Sequence, residues 1–358
     1  METRARRWAR CAWLAVLVVA STSAQVSDPQ ASLRQIAQQA LQAHDERRYD
    51  EALGLYQQLL QVDAKDTWVL YEMAQIHGAQ DNFAECIKYA QRALKTKGGE
   101  QPATFRLLGA CQDDGGKGKD AARTLAKAVK KFPKDGMVNY SYAVTLLRQN
   151  QVNKALKPLQ VAIDETPEFA DPYITYAGLL KALSSRAGQA LMGLRFLMIE
   201  PDTERAVALV QAIDKSLSEG SAGFEAEESK PAVHISLGSL LHRDLAGFDM
   251  IFPGVAAKAK LVAQEKNLNA SDRFVWTLAT LLTVMARDDD RPTAQGFIWT
   301  HSFNSLNTLS ERGVLDTYLY HVAAIGKLDG AEAWLRAHQQ DVLGLAKVMD
   351  EFPGGRLE

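Results

Sequence analysis

The stretch Gly115-Gly116-Lys117-Gly118-Lys119 comes nearest to a chemical motif. Glycines beside lysines can hold a phosphate, because backbone N–H groups and an ammonium converge on the anion. The spacing argues against it. A phosphate loop needs GxxxxGK[ST] after a strand, and neither is present, so the stretch reads as a turn between two helices. Seven histidines are scattered: His44, His77, His234, His242, His301, His321 and His338. His234 and His242 could share a helix face, but no neighbouring ligand completes a metal site. HExxH, GxSxG and GxGxxG arrangements are absent. No metal, no cofactor and no catalytic set is therefore expected. Phe297, Ile298, Trp299, His301 and Phe303 form the densest aromatic patch, read first as core because aromatics dominate burial energetics. His301, His321 and Trp299 remain the candidates for an enzyme or small-ligand site, should the carboxy-terminal third hold a polar pocket.

The ends and the cysteines speak to compartment. Arg4, Arg6, Arg7 and Arg10 precede an apolar run from Cys11 to Ala20, followed by the small residues Ser21 to Ala24. That order is an export signal over residues 1–24, with cleavage expected before Gln25. The run is too short to span a bilayer, which takes about 20 apolar residues. An exported protein, periplasmic or secreted and without a membrane span after cleavage, is expected. The formal charge of -2 becomes more negative without those arginines, and no basic stripe marks a nucleic-acid partner. Cys86 and Cys111 would remain. The simplest reading is two buried thiols, and a single bridge in an oxidising compartment is the alternative.

The elements that would position any site announce themselves by recurrence. Ala121, Leu125, Ala128 and Pro133 return 34 positions later as Ala155, Leu159, Ala162 and Pro167. Upstream, Ala52 and Cys86 keep the same interval, and one extra residue before Ala121 is absorbed near Gly98-Gly99. Downstream, Ala177 and Pro201 keep the period, while Gln189 occupies a small-residue position and suggests a slip to Ala190. Asp171-Pro172 reads as an N-cap followed by proline at the first helical position. This pattern resembles the tetratricopeptide repeat, a 34-residue helix–turn–helix unit. Small residues such as Gly109 and Ala121 then mark where paired helices touch. The resemblance implies an all-α fold: a right-handed α-solenoid of about five helical hairpins over 33–202, with an irregular helical extension over 203–358. In that extension Gly220–Pro231, Phe248–Gly254 and Arg287–Pro292 read as connectors, Ala331–Met349 as one helix, and Ser271 as a helix cap rather than part of a glycosylation site.

In this family the first helix of each unit lines a concave surface. Carried onto this sequence, that rule offers Trp68, Tyr71, Gln75, Arg106, Tyr140 and Arg148 as a peptide-binding groove. Aromatic and arginine side chains are the commonest interface anchors, and these could grip a peptide carrying an apolar side chain and an acid. The same aromatics at helical spacing also fit core positions. Ala37 and Leu41 stand where some arrays place Lys and Asn to clamp a carboxylate terminus, which argues against that ligand class. The expected function is a non-enzymatic protein- or peptide-binding scaffold of the cell envelope. An enzyme or small-ligand site in the last third is the first alternative, and a self-associating array, a homo-oligomer, is the second.

Overall fold

The computed structural model describes residues 29–219, 246–287 and 297–350. The leader, the Gly220–Pro231 connector, His234, His242, residues 288–292 and the Trp299 side chain lie outside the described residues. Five antiparallel helical hairpins come first: α1 (Pro29–Asp45) with α2 (Tyr49–Val62), α3 (Thr67–Ala79) with α4 (Phe83–Leu94), α5 (Pro102–Asp114) with α6 (Gly118–Lys131), α7 (Gly136–Arg148) with α8 (Val152–Glu165), and α9 (Asp171–Ala182) with α10 (Arg186–Ile199). The chain is an α-solenoid over this stretch.

One turn closes all five hairpins. A residue in the left-handed region stands at Arg47, Asp81, Gly116, Asn150 and Ser184. The next residue sends its N–H back to the carbonyl five positions earlier: Arg48 to Ala43, Asn82 to His77, Lys117 to Gln112, Gln151 to Leu146 and Ser185 to Leu180, at 2.6–2.9 Å. That bond satisfies a carbonyl the ending helix leaves open. The turn fixes how each pair of helices meets, and small residues let them approach. Ala40, Ala74, Ala143 and Ala177 on the first helices, and Ala52, Cys86, Ala121 and Ala155 on the second, are fully buried. Gly109 takes the same role in α5, where an added Cβ would lie 2.7 Å from Leu125 Cγ.

The fifth hairpin departs from expectation in two ways. Helix α10 begins 34 residues after α8, so there is no slip, and Gln189 itself occupies the small position, 3% exposed with Oε1 lacking a partner. Asp171 makes no capping bond; its carboxylate takes the Arg205 guanidinium at 2.7 Å.

Beyond residue 202 come α11 (Glu204–Glu219), α12 (Ala246–Lys266), α13 (Ala270–Arg287), a widened turn at Trp299–Phe303 leading into α14 (Asn304–Glu311), then α15 (Leu315–Ile325), α16 (Ala331–Ala337) and α17 (Gln339–Met349). Phe248–Gly254 is helical and not a connector; burial of Phe252, Val255, Ala256 and Ala259 along α12 outweighs the N–H that Pro253 lacks. The expected helix 331–349 breaks at His338. The cap of α13 is Asn269, whose Oδ1 accepts the Asp272 N–H at 2.9 Å; Ser271 is buried and donates to that same oxygen.

Three separate apolar clusters hold the first hairpins together, whereas one continuous core runs from Ala143 in α7 to Met349 in α17. Helix α10 is its centre, with every residue from Ala187 to Met198 buried. Cys86 and Cys111 are bridged, with Cα atoms 6.1 Å apart. The reading of two free thiols is corrected. Helix α4 lies against α5 of the next hairpin and brings together sulfurs 25 residues apart, a proximity that only the packing reveals.

Candidate functional site

Helices α3, α5 and α7 share a pocket of about 200 Å³, lined by Tyr71, Ala103, Arg106, Leu107, Ala110 and Ser141. All six come from first helices of their hairpins. On α5 the lining positions 103, 106, 107 and 110 follow the spacing of one helix face. On α3 that face carries Trp68, Tyr71, Glu72 and Gln75.

The chemistry of this wall is mixed. Trp68 is 38% exposed and packs edge-on to the buried Tyr56, with ring centroids 5.5 Å apart. One side of the indole is therefore core and the other is available. Burial raises the Glu72 carboxyl, against the downward pull of His44, 3.2 Å away, and of the Trp68 indole. The Tyr71 hydroxyl accepts from Gln75 Nε2 at 3.3 Å. Burial and the nearby Glu72 charge keep that phenol above its ordinary pKa, and Arg106 pulls the other way. The guanidinium of Arg106 forms no ion pair among the described residues, and its buried Nε lacks an acceptor. A buried N–H without a partner is costly, so this site favours an incoming acceptor, most of all a charged one.

The structure sets Tyr71 and Arg106 on one pocket and bonds Gln75 to Tyr71, while Trp68 stands on the same helix and packs toward Tyr56. Tyr140 and Arg148 are engaged between hairpins. Tyr140 meets Thr175 Oγ1 at 3.3 Å and packs edge-on to Phe169 at 5.2 Å. Arg148 is tied to Asp113 at 3.1 Å and Asp114 at 2.7 Å, joining α7 to α5. Glu72 and Leu107 escaped the sequence reading, although their places on the faces of α3 and α5 were a usable signal.

The two carboxy-terminal histidines answer to different carboxylates. His301 Nε2 lies 2.8 Å from Asp164 Oδ1 on α8, and its ring packs on Phe297 at 4.5 Å. Burial lowers its pKa, with Asp164 opposing and Arg195 adding to the fall. His321 is likewise lowered by burial, against the pull of a different carboxylate, Asp202. Among the described residues, no group of three His, Cys, Asp or Glu could hold a metal ion, and no helix is long and apolar enough to cross a membrane.

Comparison with known proteins agrees with the hairpin geometry. The tetratricopeptide-repeat family matches residues 43–111 and again residues 112–168. Residues 43–168 of the chain are thus tetratricopeptide repeats. No curated protein matches it. Solved structures similar to it include YrrB, a tetratricopeptide-repeat protein with an unusual peptide-binding site, at 18% identity over 49% of this chain and 88% of that one, TM-score 0.40. PilW, a type IV pilus biogenesis factor, is 15% identical over 55% of this chain and 96% of its own, TM-score 0.45. A thermophilic tetratricopeptide-repeat protein of Thermus thermophilus is 14% identical over 52% of this chain and 98% of its own, TM-score 0.42.

Proposed function

We propose that this protein is a non-enzymatic scaffold of the cell envelope that holds an extended peptide segment of a partner in its concave face. The observation that carries this reading is the pocket between α3, α5 and α7, where Tyr71 borders an arginine whose buried Nε has no acceptor. A segment with an apolar side chain against Trp68 and Tyr71, and a carboxylate or carbonyl toward Arg106, satisfies both kinds of wall. Tetratricopeptide repeats as a class support a protein partner. Export is supported by the leader sequence and by the Cys86–Cys111 bridge, since structural disulfides persist in oxidising compartments.

The test is a crosslinking pull-down from envelope extracts with wild type, Arg106→Ala and Trp68→Ala. Truncating an anchor commonly costs more than about 1 kcal/mol, so each variant should lose the partner that wild type retains. Retention of every partner by both variants sinks the groove reading. A mature protein whose first residue is not near Gln25, or a chain found only in the cytosol, sinks the export reading.

A further inference from the structure

A larger cavity, about 640 Å³, lies between the α12–α13 turn, α13 and α15, and none of the groove residues line it. We propose that it binds an organic cation: an ammonium or guanidinium on an apolar stem, belonging either to a free amine or to a basic side chain of another protein. Its volume is that of an ordinary small-ligand site. Its walls carry both apolar and acidic side chains.

Among the apolar ones, α13 supplies Trp276, Ala279 and Val284. The acidic ones are Asp272 and Asp316, against one lysine, Lys266. Neither carboxylate forms an ion pair among the described residues. Asp272 Oδ1 accepts the Tyr320 hydroxyl at 2.7 Å. Burial first, and then both carboxylates, raise the pKa of that phenol. Tyr320 is held rigidly. Its ring stacks on Trp334 at 4.0 Å and 7°, and Trp334 stacks in turn on His338 at 3.9 Å and 11°. Neither Trp334 nor His338 lines the cavity, so the stack supports the wall without filling the space.

A cation beside an indole and two carboxylates gains from the ring face and from the excess negative charge. An anion of the same shape meets that charge as repulsion, and a neutral molecule gains only the apolar contact. The site is therefore selective by charge, and an apolar stem along Trp276 supplies the rest of the affinity. This inference stands apart from the groove and does not need it.

The experiment is calorimetric titration of the purified chain with n-hexylamine, n-hexanol and hexanoate, which share one stem and differ in charge. Hexylamine should bind about tenfold more tightly than either other probe, the equivalent of about 1.4 kcal/mol. The preference should shrink as salt is added, because the carboxylates are partly exposed. Asp316→Asn, at an exposed position that leaves the fold intact, should reduce the amine preference severalfold, and Trp276→Ala should weaken amine and alcohol alike. A capped leucine–lysine–leucine peptide, set beside its norleucine counterpart, separates the sources. Tighter binding of the lysine peptide than of hexylamine assigns the site to a protein side chain, and the reverse order assigns it to a free amine. Equal affinity for the three hexyl probes, no saturable amine binding, or an amine preference unchanged in Asp316→Asn would overturn the proposal.

Discussion

The hairpins α1 to α6 and the helices α11 to α17 close their turns alike and bury their cores differently. Asn267, Gly313 and Lys327 adopt the same left-handed conformation as Arg47 or Asp81, and the residues after them return their N–H five positions back. In the early hairpins each core cluster joins only neighbours in the chain. In the later helices the bonds are distant. The Tyr318 hydroxyl donates to the Leu194 carbonyl at 2.6 Å across 124 residues, and Ser302 donates to Met192 Sδ at 3.1 Å across 110. Local cores can open one at a time, whereas a shared core opens as a unit. The turn therefore sets hairpin geometry, and the range of the contacts sets cooperativity.

The strongest way to break this comparison is Tyr318→Ala. The side chain is fully buried, and truncation should cost about 3–5 kcal/mol. Hydrogen exchange should then show protection lost together from α7 to α17 while α1 to α4 keep theirs. Loss in α1 to α4 as well would mean the chain is one cooperative unit. Reducing the Cys86–Cys111 bridge should cost about 2–4 kcal/mol, felt in α3 to α6 and absent from α15. Ala155→Leu forces α7 and α8 apart at about 1–3 kcal/mol. Ala162→Ser should cost less, and equal melting temperatures for the two would count against the register described above.

The smallest effect should come from pH. Burial holds the folded-state pKa of His301 and His321 below the ordinary value. The unfolded chain thus binds protons first. The stability of the carboxy-terminal core is complete above about pH 6.5 and declines as pH falls through the folded values. Around His301 the acting charges are Asp164 and Arg195, and around His321 it is Asp202. A pH series of thermal melts followed in α15 should lose stability toward pH 5, and His301→Gln should flatten that slope. An unchanged slope in the variant would remove His301 from the account.

The sequence made the repeat legible because small residues at a fixed interval leave few alternatives. Ala121, Leu125, Ala128 and Pro133, returning as Ala155, Leu159, Ala162 and Pro167, carried the period. It was poorer on what each turn needs. Gly116 and Gly313 advertise the left-handed position, Asp81, Asn150 and Asn267 are types enriched there, and Arg47, Ser184 and Lys327 adopt it without any compositional signal. Trp68, Tyr71, Gln75 and Arg106 were readable as first-helix residues, and of these Tyr71 and Arg106 line the pocket between hairpins. That Tyr140 and Arg148 spend their polar atoms on adjoining hairpins depends on Thr175 and Asp113, residues more than 30 positions away. The Cys86–Cys111 bridge was hidden for the same reason. The grouping of Asp272 with Asp316 and Tyr320 was hidden too, because α13 must meet α15 before both carboxylates act on one phenol.

Helix α10 also governs how this gene could lengthen. Duplicating a 34-residue segment upstream of α9 adds a unit whose two sides meet surfaces of the kind they already meet. Inserting one after α10 would strip Met192 and Leu194 of Ser302 and Tyr318 and leave an apolar helix facing water. The array is open to growth at one end and sealed at the other.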